Sequence, residues 1–132
     1  MTKDLKNNIK IVPTILPVNA TGNTTGVAVA LAGYESCIAE ITATTASVGG
    51  TFRLTECATS GGSYTDVAVA DIITTGTYNL TTGIAVVEDE AVSVGYIGTL
   101  GFIKGVFTHS ATGVISANVI LGNSLIAPTG AN

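Results

Sequence analysis

Charged residues are scarce in this chain of 132 residues, since Asp, Glu, Lys and Arg together make up only 11% of it. A soluble globular domain ordinarily has roughly a quarter of its residues charged. The hydrophobic share is 46%, and the mean hydropathy is +0.54. A surface this neutral suggests that partners or further copies of the chain cover part of it. The length suits one domain with an ordinary core that needs no metal or disulfide.

Residues for catalysis and metal binding are also few: the chain has one histidine, two cysteines and no tryptophan. Cys37 and Cys57 form no C-x-x-C pair and have no clustered histidine, which excludes a usual zinc site. A disulfide would form only if strands 37–42 and 51–57 paired suitably, and a reducing cytosol argues against one. We therefore expect two free thiols. His109 falls in a predicted turn, and no spacing favours a nucleophilic triad built around it. The sequence therefore predicts a protein that is not an enzyme, with no cofactor and no metal.

Membrane and nucleic-acid partners are not expected either. The longest apolar stretches, such as 26–33, fall far short of the roughly 20 residues that a membrane span needs. No apolar region follows the basic start within reach, because Asn7, Asn8, Lys10 and Pro13 interrupt it. A secretory signal is therefore not predicted, and we expect folding in a cytosol. An isoelectric point near 4.6 disfavours binding to nucleic acid.

The charges that are present are unevenly placed. Lys3, Lys6 and Lys10 lie in the first ten residues, and only Arg53 and Lys104 are basic thereafter. That remainder carries eight acidic residues: Glu35, Glu40, Glu56, Asp66, Asp71, Glu88, Asp89 and Glu90. A basic start on an acidic, apolar body favours docking onto protein over catalysis.

Strand signals recur every ten or so residues, and helix signals are nearly absent. The clearest strand is 51–58, where Phe52 and Leu54 are predicted to point inward and Arg53 outward. Turns rich in glycine and serine separate the strands. This pattern predicts an all-β fold, an antiparallel sandwich or barrel (jelly-roll-like) of about eight strands.

Three segments are predicted along the chain. Residues 1–18 form an extended N-terminal arm, in which Pro13 and Pro17 allow only edge pairing or extended chain. Residues 19–124 form the β-sandwich body. Residues 125–132 form a C-terminal tail.

The candidate site is an interface with another protein. We expect the arm's lysines to meet an acidic patch, either on a partner or at the acidic run of a neighbouring copy. The charged residues of this contact are Lys3, Lys6, Lys10, Glu88, Asp89 and Glu90, and its apolar residues are Leu5, Ile9 and Ile11. Two alternatives are that the acidic run is a solvated turn or seats a calcium ion, although EF-hand spacing is absent. A third is that the lysines only keep the terminus soluble.

Short motifs in a fixed order carry a resemblance to a known family. They are Leu5-Lys6-Asn7-Asn8-Ile9-Lys10-Ile11-Val12, Leu31-Ala32-Gly33-Tyr34-Glu35-Ser36, Thr51-Phe52-Arg53-Leu54-Thr55-Glu56, Val94-Gly95-Tyr96-Ile97-Gly98 leading into Phe102-Ile103-Lys104, and Ala117-Asn118-Val119-Ile120-Leu121-Gly122. In these motifs the chain resembles the auxiliary head proteins, also called decoration or cement proteins, that tailed bacteriophages encode beside the major capsid protein.

The resemblance implies a structural virion protein without catalysis. Such proteins are made in the host cytoplasm and sit on the capsid exterior, often as homotrimers. They bridge subunits of the major capsid protein lattice and stabilise the head against internal pressure. The expected partners are therefore the capsid lattice and further copies of the chain.

Two other functions remain open. One is a tail or neck protein of the same particle, which would usually carry long hairpins and a helix packed on a sheet. The other is a small adhesin or carbohydrate-binding module, which predicts an exposed aromatic cluster. Tyr34, Tyr64, Tyr78 and Tyr96 are dispersed along the chain, and Tyr96 is predicted to point inward.

Overall fold

The protein is a β-sandwich of two antiparallel sheets, as seen in a computed structural model that describes residues 6, 8–44, 50–108 and 112–124. The predicted all-β sandwich is confirmed. Eleven strands occur in the described part instead of about eight, because five of them are only two residues long. The strands are β1 Ile9–Ala20, β2 Thr24–Thr25, β3 Val29–Ala30, β4 Tyr34–Ala43, β5 Thr51–Cys57, β6 Thr65–Asp66, β7 Ile72–Ile73, β8 Ile84–Ala85, β9 Ala91–Tyr96, β10 Phe102–Thr108 and β11 Gly113–Ser124, with a 3₁₀ helix at Val69–Asp71.

The two sheets differ in how regular they are. Sheet A has the strand order β1-β11-β4-β9-β7, and its long strands run side by side. Sheet B has the order β2-β10-β5-β6, with β3 also pairing β10 and β8 also pairing β5. Sheet A is therefore the broader continuous surface.

The core lies between the sheets and follows from the two-residue period of the strands. On β11 the side chains of Ile115, Ala117, Val119 and Leu121 are buried, and the residues between them face the other way. The predicted inward faces are confirmed on two further strands. Their buried residues are Phe52 and Leu54 on β5, and Val94 and Tyr96 on β9.

The segment predicted as an N-terminal arm is, from Ile9 onward, a strand of sheet A. β1 pairs with β11 from Ile9 opposite Gly122 to Ala20 opposite Gly113. It lies at the sheet edge, where prolines without an N–H are tolerated, as Pro13 and Pro17 predict. The predicted boundary at residue 18 therefore falls inside a strand of the sandwich. The tail, 125–132, lies outside the described residues.

Thr14 joins the two sheets at the edge where β1 approaches β10. Its side chain is buried, with Oγ1 accepting a hydrogen bond from the N–H of Gly105 at 3.0 Å and donating to the carbonyl of Val27 at 2.9 Å. The N–H of Val27 in turn donates to the carbonyl of Thr14 at 2.7 Å. A buried hydroxyl with both its donor and its acceptor used stabilises this corner.

Two tyrosines brace the sandwich further. The Tyr96 hydroxyl of β9 donates to a Glu56 carboxylate oxygen of β5 at 2.5 Å and accepts from the Leu100 N–H at 3.3 Å. The Tyr78 hydroxyl accepts from the N–H of Leu54 at 3.0 Å. Burial raises the pKa of Tyr96, and Glu56 beside it adds to the increase. Burial also raises the pKa of Tyr78.

The two cysteines are free, as predicted, because they lie on β4 and β5, which belong to different sheets. Both side chains are partly buried. Burial raises the pKa of the Cys37 thiol from its ordinary 9.0 to about 12. This thiol is therefore protonated and unreactive near neutral pH.

Candidate interaction surface

A row of isoleucines crosses the outer face of sheet A. Ile11 pairs with Ile120, Ile120 with Ile38, Ile38 with Gly95, and Gly95 with Ile73. The row thus runs in register over all five strands of the sheet. Ile11, Ile38 and Ile73 have 47%, 37% and 59% of their surface exposed. We call these four isoleucines together with Gly95 the isoleucine row.

The strand period places this row on the outer face. Ile120 lies between Val119 and Leu121, which are both buried in the core, so its side chain points away from the core. Ile38 precedes Ala39, which is likewise fully buried. The row is therefore additional to the sandwich core and is not covered by sheet B.

The surface beside the row is shallow and weakly charged. A Cβ on Gly95 would stand 3.3 Å from the Cβ of Ile73, so glycine lets the neighbouring isoleucine lie across it. A groove of about 470 Å³ follows, lined by residues that include Ile38, Ser93 and Ile97. Ile97 is itself 56% exposed. The groove is thus a mixed recess, in which three isoleucines, Ile38, Ile73 and Ile97, supply an apolar side and residues such as Glu35 and Thr74 a polar one.

Glu40 lies on the same outer face, two residues along β4 from Ile38. Its carboxylate accepts a hydrogen bond from the side-chain amide of Asn118 on β11 at 2.8 Å. The two residues face each other across the strands in register. The carboxylate therefore has a polar partner within the sheet, which lowers the cost of covering this face.

A second apolar surface lies at the bulged edge of the sandwich. The pairing of β1 shifts between Pro13 and Ile15 and again between Ile15 and Val18. Leu16, Val18 and Val27 are there 68%, 41% and 64% exposed. A groove of about 330 Å³ runs beside them. We call Leu16, Val18 and Val27 the corner patch.

The predicted basic part of the interface lies at one end of sheet A. Lys3 and Leu5 lie outside the described residues. Lys6 is exposed, and Lys10 is half-buried on β1. Of the three predicted apolar contacts, Leu5 is outside the described part, Ile9 is half-buried at the start of β1, and Ile11 belongs to the isoleucine row.

The predicted acidic part lies at the opposite end of the same sheet. Glu88, Asp89 and Glu90 are exposed in a turn, where the Asp89 N–H donates to the carbonyl of Ala43, the last residue of β4. Asp89 holds a φ of 58°, a left-handed conformation that aspartate tolerates better than most residues.

The two charged groups do not meet within one chain. Ile9 pairs with Gly122, whereas the acidic turn lies beside the far end of β11, where Asn19 pairs with Val114. Eight residues of β11 at about 3.4 Å each separate these ends by roughly 30 Å. A contact between them therefore requires a second molecule.

The geometry of the acidic turn gives no support to the calcium site that the sequence left open. In the described part of the chain, no group of three His, Cys, Asp or Glu side chains is arranged to hold a metal ion.

His109 lies outside the described residues. No helix among the described residues is long and apolar enough to span a membrane.

Sequence reasoning placed Ile11 in an interface but missed the rest of the row. The signal was available in part, because Val119-Ile120-Leu121 is apolar at three successive positions and so breaks the inward–outward alternation. The pairing that aligns Ile120 with Ile11 and Ile38 joins residues far apart in the chain. A single sequence does not contain that register.

Comparisons with known proteins found no relative of this chain. A scan against protein-family models, a search of curated proteins and a search of solved structures each found no match.

Proposed function

We propose that this protein is a non-enzymatic structural component of a phage virion that decorates the capsid exterior and bridges subunits of the major capsid protein. The observation that carries the proposal is that one braced sandwich presents two separate apolar surfaces, the isoleucine row and the corner patch. A bridging protein needs at least two contact surfaces held at a fixed separation. The sequence motifs that resemble phage head decoration proteins supply the choice of particle.

The isoleucine row is suited to binding protein. Burying a wholly exposed isoleucine side chain contributes about 1.5–3 kcal/mol, and these side chains are roughly half exposed. The row therefore offers several kcal/mol on a face where Glu40 already has a partner. A contact of that size is weak for one molecule, but many copies on a lattice make it collectively strong.

The braces between the sheets suit a protein that carries load. Thr14 connects β1 to β10, and Tyr96 connects β9 to Glu56 on β5. Force applied at either apolar surface passes to both sheets through these hydrogen bonds as well as through the core. This arrangement would let the protein resist separation of the subunits that it bridges.

The adhesin alternative receives less support from the aromatic residues. Tyr78 and Tyr96 are buried, and both hydroxyls are engaged inside the sandwich. Tyr64 is half-buried with its ring 4.2 Å from the ammonium of Lys104. Sugar-binding platforms instead present exposed rings on which a sugar stacks.

The test is cryo-electron microscopy of purified expanded heads mixed with the recombinant protein. We expect regular density on the capsid lattice, with the corner patch against capsid protein. The paired variants are Val27→Glu, which places a charge in the corner patch, and Leu80→Glu, which places the same charge on an exposed leucine outside both apolar surfaces. Val27→Glu should lose the density and Leu80→Glu should keep it.

Substitution is a cleaner test here than deletion of residues 2–12. Ile9 to Val12 pair with β11, so the deletion would remove part of sheet A together with the basic start.

Bare heads, or density only at the portal vertex, would contradict the proposal and favour a neck, tail or adhesin function.

A further inference from the structure

We propose that the isoleucine row is covered by a second copy of this chain, stacked face to face on sheet A with its strands antiparallel to the first. This inference deepens the proposed function and rests on it for the biological role, because it names the partner of one of the two apolar surfaces. Two joined copies would each keep the corner patch for capsid protein. The pair would then bridge two lattice positions.

The symmetry of the row favours a second copy. A two-fold axis that runs between the faces and along the isoleucine row turns the row onto itself. Each of Ile11, Ile120, Ile38 and Ile73 then lies near its own counterpart. Isologous contacts of this kind use one patch on both molecules, and two-fold dimers are the commonest closed assemblies.

The shape of the outer face also suits a second copy. The neighbouring outer positions on one side of the row are Gly122 and Ser36, which pair with each other. Both residues are small, so the isoleucines stand above them. A slight offset between the copies lets the isoleucines of one enter the shallow strip beside the row of the other. Such interdigitation is how inner faces of stacked sheets pack.

The charges at the two ends of sheet A favour the antiparallel arrangement. Lys6 lies at one end and the acidic turn Glu88–Glu90 at the other, whereas Lys10 pairs with the core residue Leu121 and so points away from the outer face. Antiparallel stacking places the basic half of each copy over the half that ends in the acidic turn. Parallel stacking would place like charges over one another, which disfavours it.

The area of the outer face is a substantial part of what a stable contact needs. β1, β11 and β4 overlap over about eight residues, β9 adds six and β7 two, which at about 3.4 Å per residue and about 4.8 Å per strand gives roughly 500 Å². A standard protein interface buries about 800 Å² on each partner. The face thus supplies more than half of that area, and the charged ends extend it. The resulting dimer differs from the trimer that the family resemblance implies.

The experiment is sedimentation velocity and light scattering on the purified full chain over a wide range of concentration. We expect twice the monomer mass of 13.2 kDa. Ile38→Glu places a carboxylate at the centre of the contact, and we expect it to weaken dimerisation by about a hundredfold or more. Ile73→Glu, at a more exposed position, should act in the same direction, and Leu80→Glu should leave the dimer intact. A single cooperative thermal transition of the dissociated monomers, at a temperature lowered only by the loss of the partner, shows that these variants fold.

Charge reversal tests the orientation of the copies. The variants Glu88→Lys/Glu90→Lys and Lys6→Glu should each weaken the dimer, and combining the three substitutions should restore it at least in part. Added salt should weaken the wild-type dimer and have less effect on a variant in which only one end is reversed. A dimer insensitive to both reversals would overturn the antiparallel arrangement.

A monomer at every concentration, a trimer, or a dimer that survives Ile38→Glu would overturn the inference. Binding to heads separates this result from the proposed function. A monomer that still decorates heads leaves the proposed function standing without the dimer. A dimer that leaves heads bare supports the self-contact and contradicts the decoration function.

Discussion

Thr14→Val should destabilise the protein by about 2–4 kcal/mol although valine matches threonine in shape. The hydroxyl accepts from the N–H of Gly105, which is buried, and donates to the carbonyl of Val27. Leaving a buried N–H without a partner costs about 1–3 kcal/mol. Val27 is largely exposed, so water can satisfy its carbonyl, and we assign that lost bond only the roughly 1 kcal/mol of an ordinary hydrogen bond.

Urea unfolding followed by circular dichroism measures this change, and the slope with urea should stay unchanged. Thr14→Ser is the matched control, because it keeps the hydroxyl and removes one methyl group, at a cost of about 1 kcal/mol. The melting temperature should fall by about 10 °C for valine and by less than half of that for serine. A valine variant as stable as the serine variant would refute the view that Thr14 holds the two sheets by hydrogen bonds.

Three further changes should each leave a distinct signature. In Gly105→Ala, the new methyl would stand 2.7 Å from the ring of the fully buried Phe52, so we expect a loss of about 1–3 kcal/mol in urea unfolding. In Tyr96→Phe, the bond to Glu56 is lost, at a cost of about 1.5–3 kcal/mol for a bond to a carboxylate. The raised pKa of Tyr96 means that the native state keeps its proton to higher pH than the unfolded chain, so the wild type should lose stability above about pH 10, and less steeply in Tyr96→Phe. The same reasoning applies to Cys37, whose pKa is raised to about 12. The protonated thiol contributes fully to the stability of the native state below pH 9, and this contribution is lost between pH 9 and 12. The free energy of unfolding of Cys37→Ala should therefore change less over that range than that of the wild type.

The strands of strongest alternation were the most predictable part of the fold. The strand predicted at 51–58 was found as Thr51–Cys57, and its inward residues Phe52 and Leu54 were predicted from their two-residue spacing alone. Local pattern decides such elements because each strand must bury one face. The bounds of the two-residue strands are not indicated by the pattern, since a run that short carries no period.

The predicted arm illustrates what a local pattern leaves out. Pro13 and Pro17 indicated correctly that this segment lies at an edge or is extended, yet they do not reveal that Thr14 and Ile15 are buried. Burial there depends on two register shifts that turn the strand toward β10. The gain from that packing is tertiary, so no neighbouring residue in the sequence records it.

The candidate site likewise has a part that the sequence indicated and a part that only the fold shows. Composition alone indicated a surface that other proteins cover, and the charge pattern named its two ends. Their separation across sheet A depends on the pairing of β1 with β11, which joins residues about a hundred positions apart. The distance of roughly 30 Å that excludes a contact within the chain was therefore accessible only from the fold.

The outer face of sheet A also gives a physical reason for the high hydropathy of the chain. A sheet with one face in water normally alternates apolar and polar residues, whereas a sheet with both faces covered reads as continuous apolar runs. β11 contains such a run at Val119, Ile120 and Leu121, and Ile38 on β4 stands beside the core residue Ala39. The sandwich covers only one face of these strands. Polar residues such as Glu40 and Asn118 occupy neighbouring outer positions, so the break in alternation marks the isoleucine row as the strip that the proposed second copy would cover.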